Sequence, residues 1–439
     1  IYKQFYANRA YTFKYDLTSN IKMEYDATMN ALIEEPRGRI DTKDKRDSVW
    51  TSVLELGKAQ QFTQNYKLSI NVPINKIPIF DWVRLNGSYS GTYKFVSSTE
   101  ATRSLGNDIE NSRRVSATAN FSLNTLYTKV PFIKKAYEAQ KKSNSFSGVP
   151  TRLPKKEEKN TKDTLSSTKD SIPAINKFLK EALNYTLRFI TCVKTVSINY
   201  NLNEGTSIPG FMPVAKWLGT TPDDKFAPGF GFVFGSQSMD IMERAITNSW
   251  LSTDTMFNSA MMQKSTENIN AQIKVEPFKD FNIDISFKRN QSEQFTCYYK
   301  YDAATGMLNG PLSPLRTGRY SISIIALPTL FATMDDNNVS SVFQTFLENR
   351  DEIARRLASS NAAANPDYSG MMIADSATGK LYPDGYGALS QQVLIPAFLA
   401  AYTGSNPSTQ SLSPFIKMPM PNWKISYTGL SKLDWVKKW

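Results

Sequence analysis

Between Ile21 and Met29 hydrophobic and polar side chains alternate without a break. Ile21, Met23, Tyr25, Ala27 and Met29 hold the odd positions, and Lys22, Glu24, Asp26 and Thr28 the even ones. Successive side chains of a β-strand point to opposite faces, so this segment predicts a strand with one apolar and one charged face. The pattern returns over 83–95. There Val83, Leu85, Tyr89, Tyr93 and Phe95 share a face with Gly87 and Gly91, opposite Arg84, Asn86, Ser88, Ser90, Thr92 and Lys94. It recurs over 115–123 with Phe121 on the apolar side, over 196–202 and 269–275, and over 281–287 with Ile283 and Ile285. Weaker copies lie at 11–17, 66–72, 295–301, 320–326 and 423–429. In all, about eleven strands are predicted.

The segment 83–95 is long for a globular strand. It would span about 43 Å at roughly 3.3 Å per residue. Tilted by about 40°, it would rise roughly 33 Å, enough to cross the apolar band of an outer membrane. Two arrangements compete. In a soluble sheet the apolar face packs on a core. In a membrane barrel it meets lipid, while the polar face lines a lumen. The apolar faces here carry Tyr, Phe, Met, Ala and Gly in long runs, with few amphipathic helices to cover them. That favours the barrel.

Connection lengths supply a second test. Short links are expected at 18–20, 73–81, 277–280 and 431–434, and long insertions at 30–64, 97–113, 203–267 and 327–421. Counting strands alternately puts the short links on one side and the long ones on the other, as in bacterial barrels. A tight turn at Asn290–Glu293 and a long insertion at 125–185 are the exceptions. The latter reads as a periplasmic insertion with helices at 126–140 and 172–183 and a polar, aperiodic linker between them. The insertion 327–421 holds the clearest helix, with Val339, Val342, Phe343, Phe346, Ile353 and Leu357 on one face and Asp336 or Asn338 as its cap.

Composition narrows the chemistry. The 439 residues contain no histidine, so a Ser-His-Asp relay, histidine metal sites and histidine pH switching are all absent. Two cysteines, Cys192 and Cys297, are too few for a disulfide framework. Mean hydropathy is -0.39, and no apolar run reaches the roughly 20 residues of a spanning helix. The net charge is +12, of which ten basic and five acidic residues between Lys134 and Asp170 supply +5. No aromatic-basic RNA motif accompanies this charge, so no nucleic-acid partner is expected. The sequence Gly229–Gly235 has GxGxxxG spacing, which fits an apolar loop folding onto or into a barrel better than a nucleotide loop. The shared DxATGxL of 302–308 and 375–381 suits a hairpin turn with glycine at positive φ better than a calcium loop. Asp223-Asp224 and Asp335-Asp336 read as a loop and a helix cap. No nucleophile-base pair is visible, and no enzymatic activity, cofactor or metal site is expected.

Several stretches, in order, resemble the outer-membrane translocon of the type IX secretion system of Bacteroidota, the SprA/Sov family. They are PIFDWVRLNGSYSGTYKF (78–95), LGNDIENSRRVSATANFSLNTLYTKVPFIKKAY (105–137), IPGFMP (208–213) with APGFGFVFGSQ (227–237), LSPLRTGRYSISIIALPTLF (312–331) and PMPNWKISYTGLSKLDWVKKW (419–439). The resemblance implies a very large single-chain barrel in the cell outer membrane that passes folded cargo proteins. It also implies a PorV-type cargo shuttle and a periplasmic plug protein as partners, with outer-membrane lipid and lipopolysaccharide around the barrel. A chain of this length would be a segment, completed by the rest of the same translocon chain. The lack of Met at Ile1 and of a signal segment fits that expectation.

The expected fold is therefore all-β: part of a very large antiparallel transmembrane β-barrel with helical and irregular insertions. Barrel strands are expected in 1–124, 186–326 and 422–439, with insertions at 125–185 and 327–421. Lys22, Glu24, Asp26, Arg84, Asn86, Ser88, Thr92 and Lys94 are expected to face the lumen. Met23, Tyr25, Leu85, Tyr89, Tyr93, Phe121, Ile283 and Ile285 are expected to face lipid. A smaller solute channel or receptor barrel and a β-sandwich adhesion module are the alternative readings.

Overall fold

The computed structural model describes residues 5–430, apart from 34, 37, 55–56, 132, 135–190, 217, 279, 325–328, 330, 337, 376–378 and 414–418. The described residues form a mostly antiparallel sheet. Its first eight strands are β1 (Phe5–Thr18), β2 (Ile21–Ile33), β3 (Lys58–Val72), β4 (Val83–Val96), β5 (Asn107–Ser122), β6 (Val193–Phe211), β7 (Met261–Phe278) and β8 (Phe281–Asp302), each beside the next in sequence order. Two more strands, β9 (Met307–Ile322) and β12 (Asn422–Tyr427), both pair with β8. The ladder is regular enough for one row to cross seven strands: Phe13, Tyr25, Tyr66, Gly91, Arg113, Glu204 and Ser265 are successive partners. Period two is therefore kept across the sheet as well as along each strand, and all odd positions of β4 share a face with Tyr25, Tyr66 and Arg113.

Most strands are longer than the alternation alone predicts. The expected strand 115–123 begins at Asn107, and 66–72 begins at Lys58. One expectation is corrected outright. Asn290–Glu293 is not a turn, and 281–287 and 295–301 are one strand, β8. That run offers no Gly, no Pro and no positive-φ residue to reverse the chain. The reversal comes at 303–306 instead. There the Gly306 N–H donates to the Asp302 carbonyl, the Asp302 carboxylate takes the Ala304 N–H and the Thr305 hydroxyl, and Gly306 has φ +67°. In the second DxATGxL copy, which joins β10 (Met372–Ala374) and β11 (Leu381–Pro383), the Gly379 N–H likewise donates to the Asp375 carbonyl, with Gly379 at φ +67°.

The chain divides into two compact units. The first is 1–285, 292–318 and 423–439, and the second is 286–291 with 319–422. In the first unit, the loop between β2 and β3 carries α1 (Lys43–Leu54), and β5 runs directly into α2 (Leu123–Lys129). The expected helix at 126–140 thus starts earlier, while 135–140, the linker, the helix at 172–183 and the link at 431–434 lie outside the described residues. Between β6 and β7 the chain forms a cap, residues 212–260, with α3 (Phe230–Val233) and α4 (Asp240–Thr247). Phe232, Val233, Ile241, Ala245, Trp250 and Leu251 of the cap are buried in one cluster with Phe62, Tyr93, Phe95, Ile109 and Ile208 of the sheet.

The second unit pairs α5 (Ser341–Ala364) with α6 (Gln391–Thr403) over a small core of Ile353, Ala354, Tyr382, Ala388, Val393 and Ala397. Helix α5 is not capped by Asp336 or Asn338. Its N-cap is Ser340 without a side-chain bond, and Asp335 accepts the Val339 N–H just upstream. Phe343, expected on the buried face, is 43% exposed, whereas Asn349 and Arg350 are buried. The Arg350 guanidinium donates to the Ala388 carbonyl, which holds it inside without a carboxylate. The alternate counting of connections also fails at this insertion. The Thr428 N–H bonds Asp280 at the start of β8, so β12 runs antiparallel to β8, as hairpin-linked β9 does. The stretch 323–421 is thus not a connection between antiparallel neighbours.

One packing contact tests the register directly. A side chain at Gly91 would collide with the ring of Tyr66, its ladder partner. Gly91→Val should destabilise the sheet by about 1–3 kcal/mol through overpacking, read as a lowered denaturation midpoint. Gly87→Val, where the nearest atom to an added Cβ is 3.9 Å away, should lower it much less.

Candidate membrane-facing surface

The two faces of the sheet differ in kind. On the even face, one row reads Lys22, Ser69, Ser88, Ser116, Asn201, Asn268, with no apolar side chain. Its side chains pair with one another across the strands. The Ser88 and Ser116 hydroxyls lie 2.6 Å apart, Thr92 donates to Asn65 at 2.8 Å, Ser197 to Asn120 at 2.7 Å and Arg114 to Asn203 at 2.6 Å. Lys67–Glu24 and Lys94–Glu110 are looser ion pairs at 3.8 and 3.9 Å. All eight residues expected on the lumen side lie on this face: Lys22, Glu24, Asp26, Arg84, Asn86, Ser88, Thr92 and Lys94.

The odd face is layered along the strands. Next to the short links lies an aromatic layer. Trp82 packs on Phe121 with ring centroids 5.9 Å apart, and Phe278, Phe281 and Tyr427 form a second group. Above it comes an aliphatic band that includes Met23, Leu68, Ile70, Leu85, Ala117, Ala119, Ile198, Ala271 and Ile273. Part of this band is open: Met23 is 45%, Ile70 37% and Ile198 40% exposed. A second aromatic layer follows, with Phe13, Tyr25, Tyr66 and Tyr89. Tyr66 stacks on Tyr89 at 6.0 Å and meets Phe234 at 5.5 Å. The step from Val83 to Gly91 along β4, from the lower layer to the row of Tyr66, is roughly 26 Å at about 3.3 Å per residue, a rise of roughly 20 Å at a tilt of about 40°. Outer-membrane barrels carry an apolar band of about 25 Å flanked by aromatic girdles.

On β5 and β6 the upper aromatic row itself turns polar, and there the cap is fastened. Arg113 and Glu204, ladder partners, form an ion pair at 2.5 Å. Asn111 is buried and donates to the Phe232 and Ser236 carbonyls, while its own carbonyl receives the Thr206 N–H and the Gln237 amide. Thr206 in turn donates to Gln237, and Gln263 to the Gln237 backbone. A buried amide is costly unless its groups are paired, so this network specifies one seat for the cap. At the cap's far side the Ser252 hydroxyl donates to the Ser104 carbonyl at 2.5 Å. The Ser104 side chain and the Met256 N–H hold the Asp254 carboxyl below its ordinary pKa.

This arrangement corrects one assignment. Tyr93 does not face outward. It is 0% exposed, tilted against Phe62 at 6.3 Å and edge-on to Phe232 at 6.2 Å, because the cap covers that end of the odd face. Tyr89 and Tyr25 sit at the boundary: Tyr89 donates to the Phe234 carbonyl of the cap, and Tyr25 to the buried Gln64. Met23, Leu85, Phe121, Ile283 and Ile285 occupy odd positions of the uncapped part. Asn111, Arg113, Glu204 and Gln237 were not expected to matter. For Asn111, Arg113 and Glu204 the signal is a polar residue in the apolar register just beyond Val115 and Leu202, where the alternation ends, and Gln237 in the cap carries none.

Cys192 and Cys297 are buried and not joined in a disulfide, and burial pushes the Cys192 thiol up, away from thiolate reactivity. Asp223 lies in a short turn, paired with Lys216 at 2.6 Å. Among the described residues, no group of three or more His, Cys, Asp or Glu side chains converges as a metal site, and no helix is long and apolar enough to cross a membrane. No family model matches the chain, and no curated protein matches it.

Tyr93→Ala should cost about 3–5 kcal/mol, the loss typical of a large buried aromatic. The check is chemical denaturation with Tyr15→Ala as control. Tyr15 is 51% exposed on the same face of the sheet, so its loss should cost far less in the same titration.

Proposed function

We propose that this chain is a segment of a large outer-membrane β-barrel that conducts folded proteins, of the type IX translocon kind its sequence resembles. The observation that carries the reading is the layered odd face set against a predominantly polar even face. Water offers no reason to arrange aromatic, aliphatic and aromatic layers in order on an uncovered surface. A bilayer does, since amphipathic rings settle at its two interfaces. On this reading the even face wets a lumen, and the capped end of the sheet projects beyond the outer leaflet.

The sheet edges bear on the size of the barrel. Within the described residues, β1 pairs only with β2, which leaves a fourteen-residue edge. In lipid, each unpaired backbone group costs several kcal/mol, so further strands must complete the sheet. Ten strands that still need partners fit a wide protein-conducting pore better than a small solute channel. A β-sandwich would need a second sheet over the odd face, and among the described residues the cap covers only its upper part.

The test is residue-specific labelling. Cysteine introduced at Leu85 or Ile198 should react with a lipid-soluble maleimide in membranes, and at Ser88 or Asn199 with a water-soluble one. The opposite pattern, or water-soluble labelling at all four sites, would end the barrel reading. A photo-cross-linker at Ser88 should capture folded cargo during export, and capture of small solutes alone would favour the channel. Leu85→Arg should cost about 2–4 kcal/mol if the site lies near the midplane, and Ser88→Arg close to nothing. Equal costs in a folding titration in lipid would contradict the facing.

A further inference from the structure

We propose that the second unit docks a partner protein through a segment that carries a carboxylate between apolar side chains, seated on the aromatic face of α5 and α6 beside Arg350. The inference does not depend on the barrel reading, because every residue it uses lies within 319–422.

Arg350 is a buried charge without a counterion. It is 8% exposed, and a cation taken out of water is costly unless an anion compensates it. Its Nε donates to the Leu347 carbonyl at 3.5 Å and its Nη1 to the Ala388 carbonyl at 3.3 Å, both long for such bonds. Every carboxylate of this unit lies among the described residues, and none of them pairs with Arg350. Asp351, the next residue, pairs instead with Arg355 at 3.1 Å. The same region is short of acceptors elsewhere. The side-chain nitrogen of Asn349, beside Arg350 on the helix, is buried without a hydrogen-bond partner, and so is the hydroxyl of Tyr382 in the core that α5 and α6 share. A surplus of donors calls for a group that only accepts, and an ionised carboxylate is such a group.

A row of rings leads outward from this guanidinium. Arg350 lies 5.8 Å from the centroid of the Phe346 ring. Phe346 meets Phe343 at 5.8 Å and Phe398 of α6 at 6.3 Å, and Phe398 stacks on Tyr402 at 4.2 Å. Two helices thus share one aromatic face, and its members Phe343 and Phe398 are 43% and 39% exposed. Apolar side chains of a partner would cover these rings, and the carboxylate between them would compensate Arg350. A phosphate group fits less well. It carries nearly two charges, and the neighbouring Arg356 is committed to the Pro407 and Gln410 carbonyls.

The experiment is fluorescence anisotropy of the full chain in detergent with three labelled, end-blocked peptides: Phe-Asp-Phe, Phe-Asn-Phe and Phe-phosphoserine-Phe. The Asp peptide should bind about tenfold tighter than the Asn peptide, the margin of a charge-assisted bond, and the phosphoserine peptide no tighter than the Asp peptide. Arg350→Met should bring the Asp and Asn peptides together. Phe398→Ser, at an exposed ring, should weaken both and keep their ratio. Equal binding of the Asp and Asn peptides by the unaltered chain would overturn the proposal, and this result needs no variant to fold. A preference that survives Arg350→Met, tighter binding of the phosphoserine peptide, or a dimer of the chain that Phe398→Ser dissolves would also overturn it. None of these outcomes bears on the labelling at Leu85 and Ser88, so the barrel reading stands or falls separately.

Discussion

The separation of polar from apolar side chains in this protein depends on ladder register. Phe13, Tyr25, Tyr66, Gly91, Arg113, Glu204 and Ser265 are one row across seven strands. A slip of one residue in any strand would move its whole hydrophobic set to the other face. The even face resists such slips through its own bonds, because Ser88–Ser116, Thr92–Asn65 and Ser197–Asn120 meet only in register. On the odd face Gly91 makes room for the Tyr66 ring in the same row. Each face therefore fixes the register that the other requires.

The odd face serves two environments, and chemistry marks the border. Over β2 to β4 it is apolar and partly open up to the Tyr66–Tyr89 layer. On β5 and β6 Arg113 pairs with Glu204 in the Tyr66 row itself, and one row further the Asn111–Gln237 bonds seat the cap, with Tyr93 and Phe95 fully buried beneath. An ion pair at such a position is unsuited to a lipid surface, where charge is costly. It suits a junction where protein packing takes over from the aliphatic band. The cap is fastened by amides as well as by apolar contact, and this gives it a unique seat where greasy contact alone would let it slide.

The period of the strands was legible in the sequence, and with it the facing of Lys22 against Met23 and of Ser88 against Leu85. Those assignments depend on local alternation only. The burial of Tyr93 was not legible, because its partner Phe232 is far away in sequence and no periodicity links them. The same limit hid Asn111, whose odd-face polarity looks like the end of a strand until Gln237 supplies a partner. The turn expected at Asn290–Glu293 failed for a different reason. A polar run in the middle of a 22-residue strand imitates a loop, yet without glycine, proline or a positive φ it has no means of reversing. The DxATGxL turn at 302–308 was readable because glycine and the Asx bonds are local chemistry.

How a sheet tolerates an excursion as long as 323–421 follows from its ends. Within the second unit, Ser323 exchanges backbone bonds with Lys288 and Met420, and its hydroxyl takes the Lys288 N–H and donates to the Met420 carbonyl at 2.6 Å. Departure and return are thus pinned to one residue. Closing a long loop costs only slowly more as it lengthens, so the main penalty is the broken ladder. Ser323 repairs that break by satisfying the groups left at the gap. The outer edge of β9 is a poor template for another strand, since Pro311 and Pro314 remove donors and Ser313 adopts φ +47°. The edge of β1 has neither proline nor positive φ over Phe5–Thr18. Of the two, β1 is the edge on which a growing sheet would extend more readily.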